Sequence, residues 1–408
     1  MLSFRRGLLR LNNFNNSVNN SIRCMSSVIL DQNIRNLAIV AHVDHGKTTL
    51  VDKLLLSSQG VDTTSLSSVG EAARLLDAGD LEKERGITIT SKPTYVRYGP
   101  EKVLNIVDTP GHADFAGEVD RVLSMVDGVC LVVDGEEGVM SQTKYVVERA
   151  VRAGLSPLLL LNKLDRGMEA VKSGQVESDV FDLFCALGAT DEQMEYPTYY
   201  ASAKGGWVTD DLDRAEAVVK GGSMEGLGMD NLLDAFLEHF PPPAAPASGE
   251  ERFALAATMV GYDKFLGRTV TGLVSSGSAA LGDKAIFLPR DPASASTDKK
   301  ATAPTPLSGV FVYEGVTRAP LPGGVAAAGQ IVTLSGVPDG VKVGDTITRL
   351  DDPVAEAVET PPLAPPTLSM GFGANDSPLA GREGTIVQAS RIASRLRQEV
   401  DNNVTLSE

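Results

Sequence analysis

Between Ile34 and Phe240, short apolar runs alternate with stretches whose apolar residues recur every three or four positions. The runs Asn36 to Val40, Val103 to Val107, Gly128 to Val133, Leu155 to Leu161 and Pro197 to Ala201 are brief and almost wholly apolar. That pattern predicts parallel strands covered on both faces. Thr88 to Tyr98 alternates more roughly, as a strand at a sheet edge does. The stretches between predict helices over Thr49 to Ser57, Ser141 to Ala153 and Val176 to Leu187. Leu232, Leu233, Phe236, Leu237 and Phe240 share one face of a last helix, stopped by Pro241, Pro242 and Pro243. Strands and helices in alternation predict an α/β domain over residues 28–242, a mostly parallel sheet with helices on both faces.

Beyond the prolines the texture changes. Arg268 to Val274 and Gly329 to Leu334 are rich in Gly, Val and Thr and flanked by turn signals. They predict a small antiparallel β-barrel over residues 243–360. Asp291 to Ser308, dominated by Ala, Ser, Thr and Pro, predicts an exposed loop between two of its strands. A second proline-rich joint, Pro361 to Pro366, closes the barrel. Residues 367–408 then read as a strand, a helix over Gln388 to Asn402 and the start of another strand. So short a piece cannot bury a core of its own, and the expectation over 361–408 is the truncated start of a third domain.

Composition narrows the class. The chain has 408 residues, 42% hydrophobic and 22% charged, which is an ordinary globular mixture. Cys24, Cys130 and Cys185 share no short spacing, which argues against a disulfide framework or a zinc site. No apolar run approaches the ~20 residues that cross a bilayer, so no membrane contact is expected. A net charge of −16 excludes nucleic-acid binding over the whole surface and leaves room only for a local basic patch. Residues 1–27 differ from the rest: they hold Arg5, Arg6, Arg10 and Arg23, many Asn and Ser, and no acid before Asp31. This make-up predicts a mitochondrial transit peptide, with a disordered solvated leader as the rival reading, and so a matrix address, with the plastid as the alternative.

The candidate chemistry lies at the ends of the expected strands. Ala41-His42-Val43-Asp44-His45-Gly46-Lys47-Thr48-Thr49 follows the first strand and precedes a helix. It fits a phosphate-binding loop, with Ala41 in place of the usual first Gly. Loop amides and the helix dipole would cradle phosphates, the Lys47 ammonium would reach them, and the Thr48 hydroxyl would hold Mg²⁺. Asp108 and Gly111, in Asp108-Thr109-Pro110-Gly111-His112, stand where open α/β sheets bind ligands. Asp108 would join the Mg²⁺ shell and the Gly111 amide would meet the γ-phosphate. In Asn162-Lys163-Leu164-Asp165, one carboxylate can accept from both guanine donors, so Asp165 would select guanine. Asn162 would brace the loop and bind N7, and the Lys163 stem would cover the base. Ser202, Ala203 and Lys204 would offer backbone amides to guanine O6. Within Asp80 to Ile89, Thr88 is placed to ligate Mg²⁺ and sense the γ-phosphate, so that loop would order with GTP and relax with GDP.

Taken in order, these motifs resemble those of the translational GTPases. EF-Tu, EF-G and the LepA family share the general pattern, although the LepA family typically has Ser where Thr48 stands. The closest resemblance is to the BipA/TypA family. It is carried by Ile34-Arg35-Asn36 before Ala41 to Leu55, by Asn162 to Arg166, by Ala189 to Gln193, and by Tyr200 to Ala203. Thr367 to Phe372 and Asn375 to Pro378 resemble the opening of that family's third domain, which is ferredoxin-like. The resemblance implies a monomeric GTPase that binds GTP, GDP and Mg²⁺ and works on the ribosome, in its assembly or in translation. It also implies that His112 orients the attacking water, shielded by a hydrophobic gate of Val43 and Ile87, and that a partner stimulates turnover. A GTP-dependent module that binds RNA or protein without ribosomal activation stays open as the alternative.

Overall fold

The computed structural model describes residues 33–58, 82, 84, 88–99, 101–111, 116–244, 252–263, 265–290, 303–315, 317–361, 368–378, 380–382 and 386–402. The expectations for the leader 1–27, for Ile87 and for His112 fall outside these residues.

A seven-stranded sheet organises the first half, in the order β2-β3-β1-β4-β5-β6-β7. Its strands are β1 (Ile34–Ala41), β2 (Lys92–Tyr98), β3 (Lys102–Asp108), β4 (Gly128–Asp134), β5 (Ser156–Asn162), β6 (Thr198–Ser202) and β7 (Trp207–Thr209). The centre is parallel, whereas β2 and β7 pair antiparallel at the two edges. Successive side chains of a strand face opposite ways, so an unbroken apolar run feeds two cores at once. Thus Ala38, Val40, Leu131, Val133, Leu159 and Leu161 pack into one buried cluster. Leu37, Ile39, Cys130, Val132, Leu158 and Leu160 pack into the other.

Helices cover both faces. On one side lie α1 (Lys47–Ser58) and α8 (Asp230–His239), contributing Leu50, Val51 and Leu54 and then Leu232, Leu233 and Phe236. On the other lie α2 (Ala116–Leu123), α3 (Ser141–Arg152), α4 (Leu164–Lys172), α5 (Gln175–Ala186) and α7 (Leu212–Val219). A single turn, α6 (Asp191–Met194), is closed by a capping box in which Thr190 and Gln193 satisfy each other's backbone amides. The helices expected from spacing are present, and α2, α4, α6 and α7 are additional to them.

The second half is antiparallel. Gly267–Ser276 pairs with Ile331–Ser335 in register Thr269↔Ser335, and with Met259–Asp263 on its other edge. Its inward residues, among them Phe253, Leu255, Val270, Val332 and Ile347, form a third core. The expected exposed loop from Asp291 needs correction at its end. Thr305–Pro306 pairs with Lys284–Leu288, and Leu307 is buried at 2% exposure, because the one large apolar residue of that stretch is drawn into the barrel core. A second correction concerns the strand expected after Pro366. Residues 368–378 form none, since no described strand runs beside them to take their backbone groups, whereas the helix follows at Ala389–Asn402.

Contacts at more than one place join the halves. Tyr95 of β2 packs on the barrel core, and Arg97 pairs with Glu314 at 2.8 Å. Beneath the sheet, the Asn36 amide donates to the Gly329 carbonyl at 3.0 Å.

Candidate functional site: a nucleotide cleft

The C-terminal ends of β1, β3, β5 and β6 surround a cleft of about 540 Å³. The loop after β1 turns sharply at Asp44, φ 64°, and Gly46, φ 92°. Gly46 is required twice over: its backbone is left-handed, and a Cβ there would lie 2.5 Å from the Asn162 amide. The loop then enters α1, whose first residue, Lys47, is buried. Its ammonium lies 2.7 Å from Asp108 Oδ1 and also donates to the Thr109 carbonyl. Thr48 and Thr88 meet hydroxyl to hydroxyl at 3.2 Å. Gly111 lies against the loop, since a Cβ on it would come within 3.3 Å of the Ala41 carbonyl and the Val43 amide.

The base end is equally tied down. Asn162 donates from Nδ2 to the His45 carbonyl at 2.9 Å and accepts at Oδ1 from the Ala203 amide at 2.9 Å. One amide hydrogen of Asn162 is left over for a ligand. Ser202 donates its hydroxyl to Asp165 Oδ1 at 2.8 Å, which orients the carboxylate. Lys163 sits in left-handed backbone, φ 61°, with its ammonium 2.8 Å from Asp134 Oδ2.

The structure brings most of the expected residues to one cavity wall: His42, Val43, Asp44, Gly46, Lys47, Thr48, Thr49, Thr88, Gly111, Asn162, Lys163, Asp165, Ala203 and Lys204. Three stand just behind it. Asp108 is fully buried under Lys47, Ser202 holds Asp165, and His45 points away. The His45 ring accepts at Nδ1 from the Asp134 amide at 3.2 Å and faces Glu137 at 3.3 Å through Nε2. Burial, and then His42, hold its pKa below the ordinary value, so the ring is neutral.

Spacing did not point to three further residues. Arg166 lines the cleft and donates to Asp134 at 2.9 Å. Gln142 accepts from the Val43 amide at 3.4 Å. Glu82 accepts from the Ile89 and Thr90 amides at 3.1 and 3.2 Å, and Lys92 donates to it at 2.6 Å, which anchors the backbone just after Thr88. A charged residue ending an apolar strand, as Asp134 does after Val133, was the available signal for the first of these.

A deep cleft at the strand ends, a loop entering a helix, and paired Asn162 and Asp165 define a P-loop nucleotide-binding protein. Residues 32–242 match the model of the elongation factor Tu GTP binding domain, over half the chain. The chain is 41% identical over 375 residues to the large ribosomal subunit assembly factor BipA of Synechocystis sp., covering 91% of this chain and 57% of that one. Against the same factor of Bacillus subtilis the identity is 38%, covering 92% and 56%. The chain belongs to the BipA/TypA family of translational GTPases, and its first domain is a GTP-binding domain. It spans only 57% and 56% of the length of these two relatives.

Solved structures show the same fold at low identity. A protein from Thermus thermophilus superposes with a TM-score of 0.64 at 18% identity, covering 92% of this chain and 62% of that one. Translation elongation factor SelB from Methanococcus maripaludis, in complex with the GTP analogue GppNHp, gives 0.52 at 21%, covering 78% and 55%. Among the described residues no helix is long and apolar enough to cross a membrane.

Proposed function

We propose that the protein hydrolyses GTP in a Mg²⁺-dependent reaction and acts on the ribosome, in the assembly of its large subunit or in translation. The observation that carries this reading is the convergence of Lys47, Thr48, Thr88, Asn162 and Asp165 on one cleft. A cleft of that size suits a nucleotide. The donor set also suits the ion. Thr48, Thr88 and Asp108 offer only oxygen, which is the ligand type of Mg²⁺, and in phosphate sites that ion takes few protein ligands besides the phosphates. Lys47 would then turn from Asp108 toward the phosphates.

His112 is proposed to orient the attacking water, with Val43 and Ile87 as its apolar gate, on the strength of the family motif. The ribosome as partner rests on the relatives, which are named as assembly factors of the large ribosomal subunit. The protein is proposed to act as a monomer. Address follows from the arginine-rich, acid-free residues 1–27, proposed to direct the protein to mitochondria and testable by fusing them to a reporter.

Asp165→Asn tests the site. The change replaces two acceptor oxygens with an amide whose donor suits the C2 carbonyl of xanthine. With ribosomes present, phosphate release from GTP should fall and release from XTP should rise. Equal GTP turnover in parent and variant would refute the reading.

A further inference from the structure

Asp134 closes β4 at 0% exposure, deep behind the cleft, and none of the contacts so far assigned to a ligand uses its side chain. Its two oxygens are nevertheless fully employed. Oδ2 receives the Lys163 ammonium at 2.8 Å and the Arg166 guanidinium at 2.9 Å. Oδ1 accepts from the Glu136 amide at 2.9 Å. Burial alone would raise its pKa, but Lys163, that amide and Arg166 outweigh it and bring the carboxyl down to about 2. The group is a fixed anion throughout the working range.

What it fixes is Lys163. That side chain leaves a left-handed backbone position and passes over Gly46, its Cε 3.7 Å from where a Gly46 Cβ would stand, before ending on Asp134. It is therefore stretched across the base end of the cleft and held at both ends. A free lysine would have to be immobilised when a ligand binds, whereas this one is immobilised already. Arg166 is half exposed, sharing that oxygen and reaching Glu136 at 3.6 Å, whereas Lys163 is more enclosed and is the better-fixed of the two cations. The Asp134 backbone amide does a separate task, since it holds His45 of the phosphate loop. Changing the side chain leaves that bond in place.

We propose that Asp134 is a positioning residue for the base subsite: its carboxylate holds Lys163 across the cleft and so sets how tightly a guanine nucleotide is retained. The proposal rests on the reading of the cleft as a guanine-nucleotide site. It divides the ligand in two. The Asp134 side chain supports the base and contributes nothing to the phosphates.

The test measures, on the full chain, the affinity of GDP and of inorganic tripolyphosphate, which has phosphates and no base. Asp134→Asn keeps the oxygen that caps the Glu136 amide, so the turn stays folded. It should weaken GDP roughly tenfold, the scale of one charge-assisted contact, with tripolyphosphate within about twofold of the parent. Lys163→Ala should give the same pattern, and the double variant should be scarcely worse than either single one, because both remove one interaction. Unchanged GDP affinity in Asp134→Asn would overturn the proposal. Equal weakening of both ligands would reduce Asp134 to support of the fold, and additive losses would show that it does not act through Lys163. A parent that bound ADP as well as GDP would overturn the guanine reading, and this proposal with it, before any variant was made.

Discussion

At the C-terminal end of β1, the polar groups Lys47, Thr48 and Asn162 border open space. At its N-terminal end lie Asn36 and Asn105, both buried, and the half-buried Asp127. Asn105 donates to Asn36 Oδ1 at 2.7 Å, and the Asn36 amide donates to Asp127 at 3.2 Å and to the Gly329 carbonyl at 3.0 Å. Lys47, Asn162, Asn36 and Asn105 are buried and Thr48 and Asp127 partly so, and both sets are hydrogen-bonded. The difference lies in what completes them. At the lower end the barrel supplies the last acceptor as part of folding, while at the upper end a cavity remains open. Buried polarity alone therefore does not mark a binding site in this sheet; polarity beside space does.

The comparison is open to attack at either end. Lys47→Ala should have the largest effect, weakening GDP by about a thousandfold through loss of charged phosphate contacts, as read by fluorescent-nucleotide titration. In that variant GDP should no longer raise the unfolding temperature at concentrations that saturate the parent. If nucleotide stabilised the variant as it does the parent, the upper end would not be the ligand end.

Asn36→Ala should do the reverse. It strips partners from Asn105, Asp127 and Gly329, so unfolding in denaturant should show a loss of about 1–3 kcal/mol. GDP affinity should hold, and a parallel fall in affinity would erase the distinction between the ends.

A finer test uses pH. Burial outweighs the Asn36 and Ala244 hydrogen bonds and the Arg35 charge, raising Asp127 to about 6. In the unfolded chain it titrates near 4. Between those values the folded state holds more protons, so this group's stabilising contribution is full below about pH 4 and lost as pH rises through about 6. Partial solvent access reduces the effect to something on the order of 1 kcal/mol. Subtracting the Asp127→Ala stability curve from the parent's should expose that slope, and a flat difference would mean that Asp127 is not desolvated. Smallest of all is Arg97→Ala. It removes an exposed ion pair with Glu314 at the side of the sheet, and should cost about 0.5 kcal/mol, vanishing in high salt.

How far each end was legible in the sequence follows from the distance over which its signal is written. The strands β1, β3, β4 and β5 could be read because burial on both faces leaves unbroken apolar runs. The phosphate loop and Asn162 to Asp165 could be read because their residues are close in sequence and sit at those strand ends. Helix α4 was hidden because it begins inside the base motif, at Leu164, and α7 because it buries only Ala215. Asp134 and Lys163 lie on different strand ends, and nothing local to either reveals the other. The lower network was least legible, since Asn36 and Gly329 are 293 residues apart and each reads alone as an ordinary polar or turn position. The strand expected after Pro366 had the right local composition but no neighbour, and a strand is a property of two segments.

The hydrogen bond from Asn36 to Gly329 also bears on how these two domains can be inherited. A barrel grafted from an unrelated protein would have to present a carbonyl at this spot, from a turn whose Gly329 backbone has φ 84°. Without it, the Asn36 amide would be buried short of an acceptor, at a cost of about 1–3 kcal/mol. The nucleotide domain thus carries, at the end opposite its cleft, a lock cut for a neighbour that offers this carbonyl, and recombination that moves either part alone loses that bond even when every nucleotide contact survives.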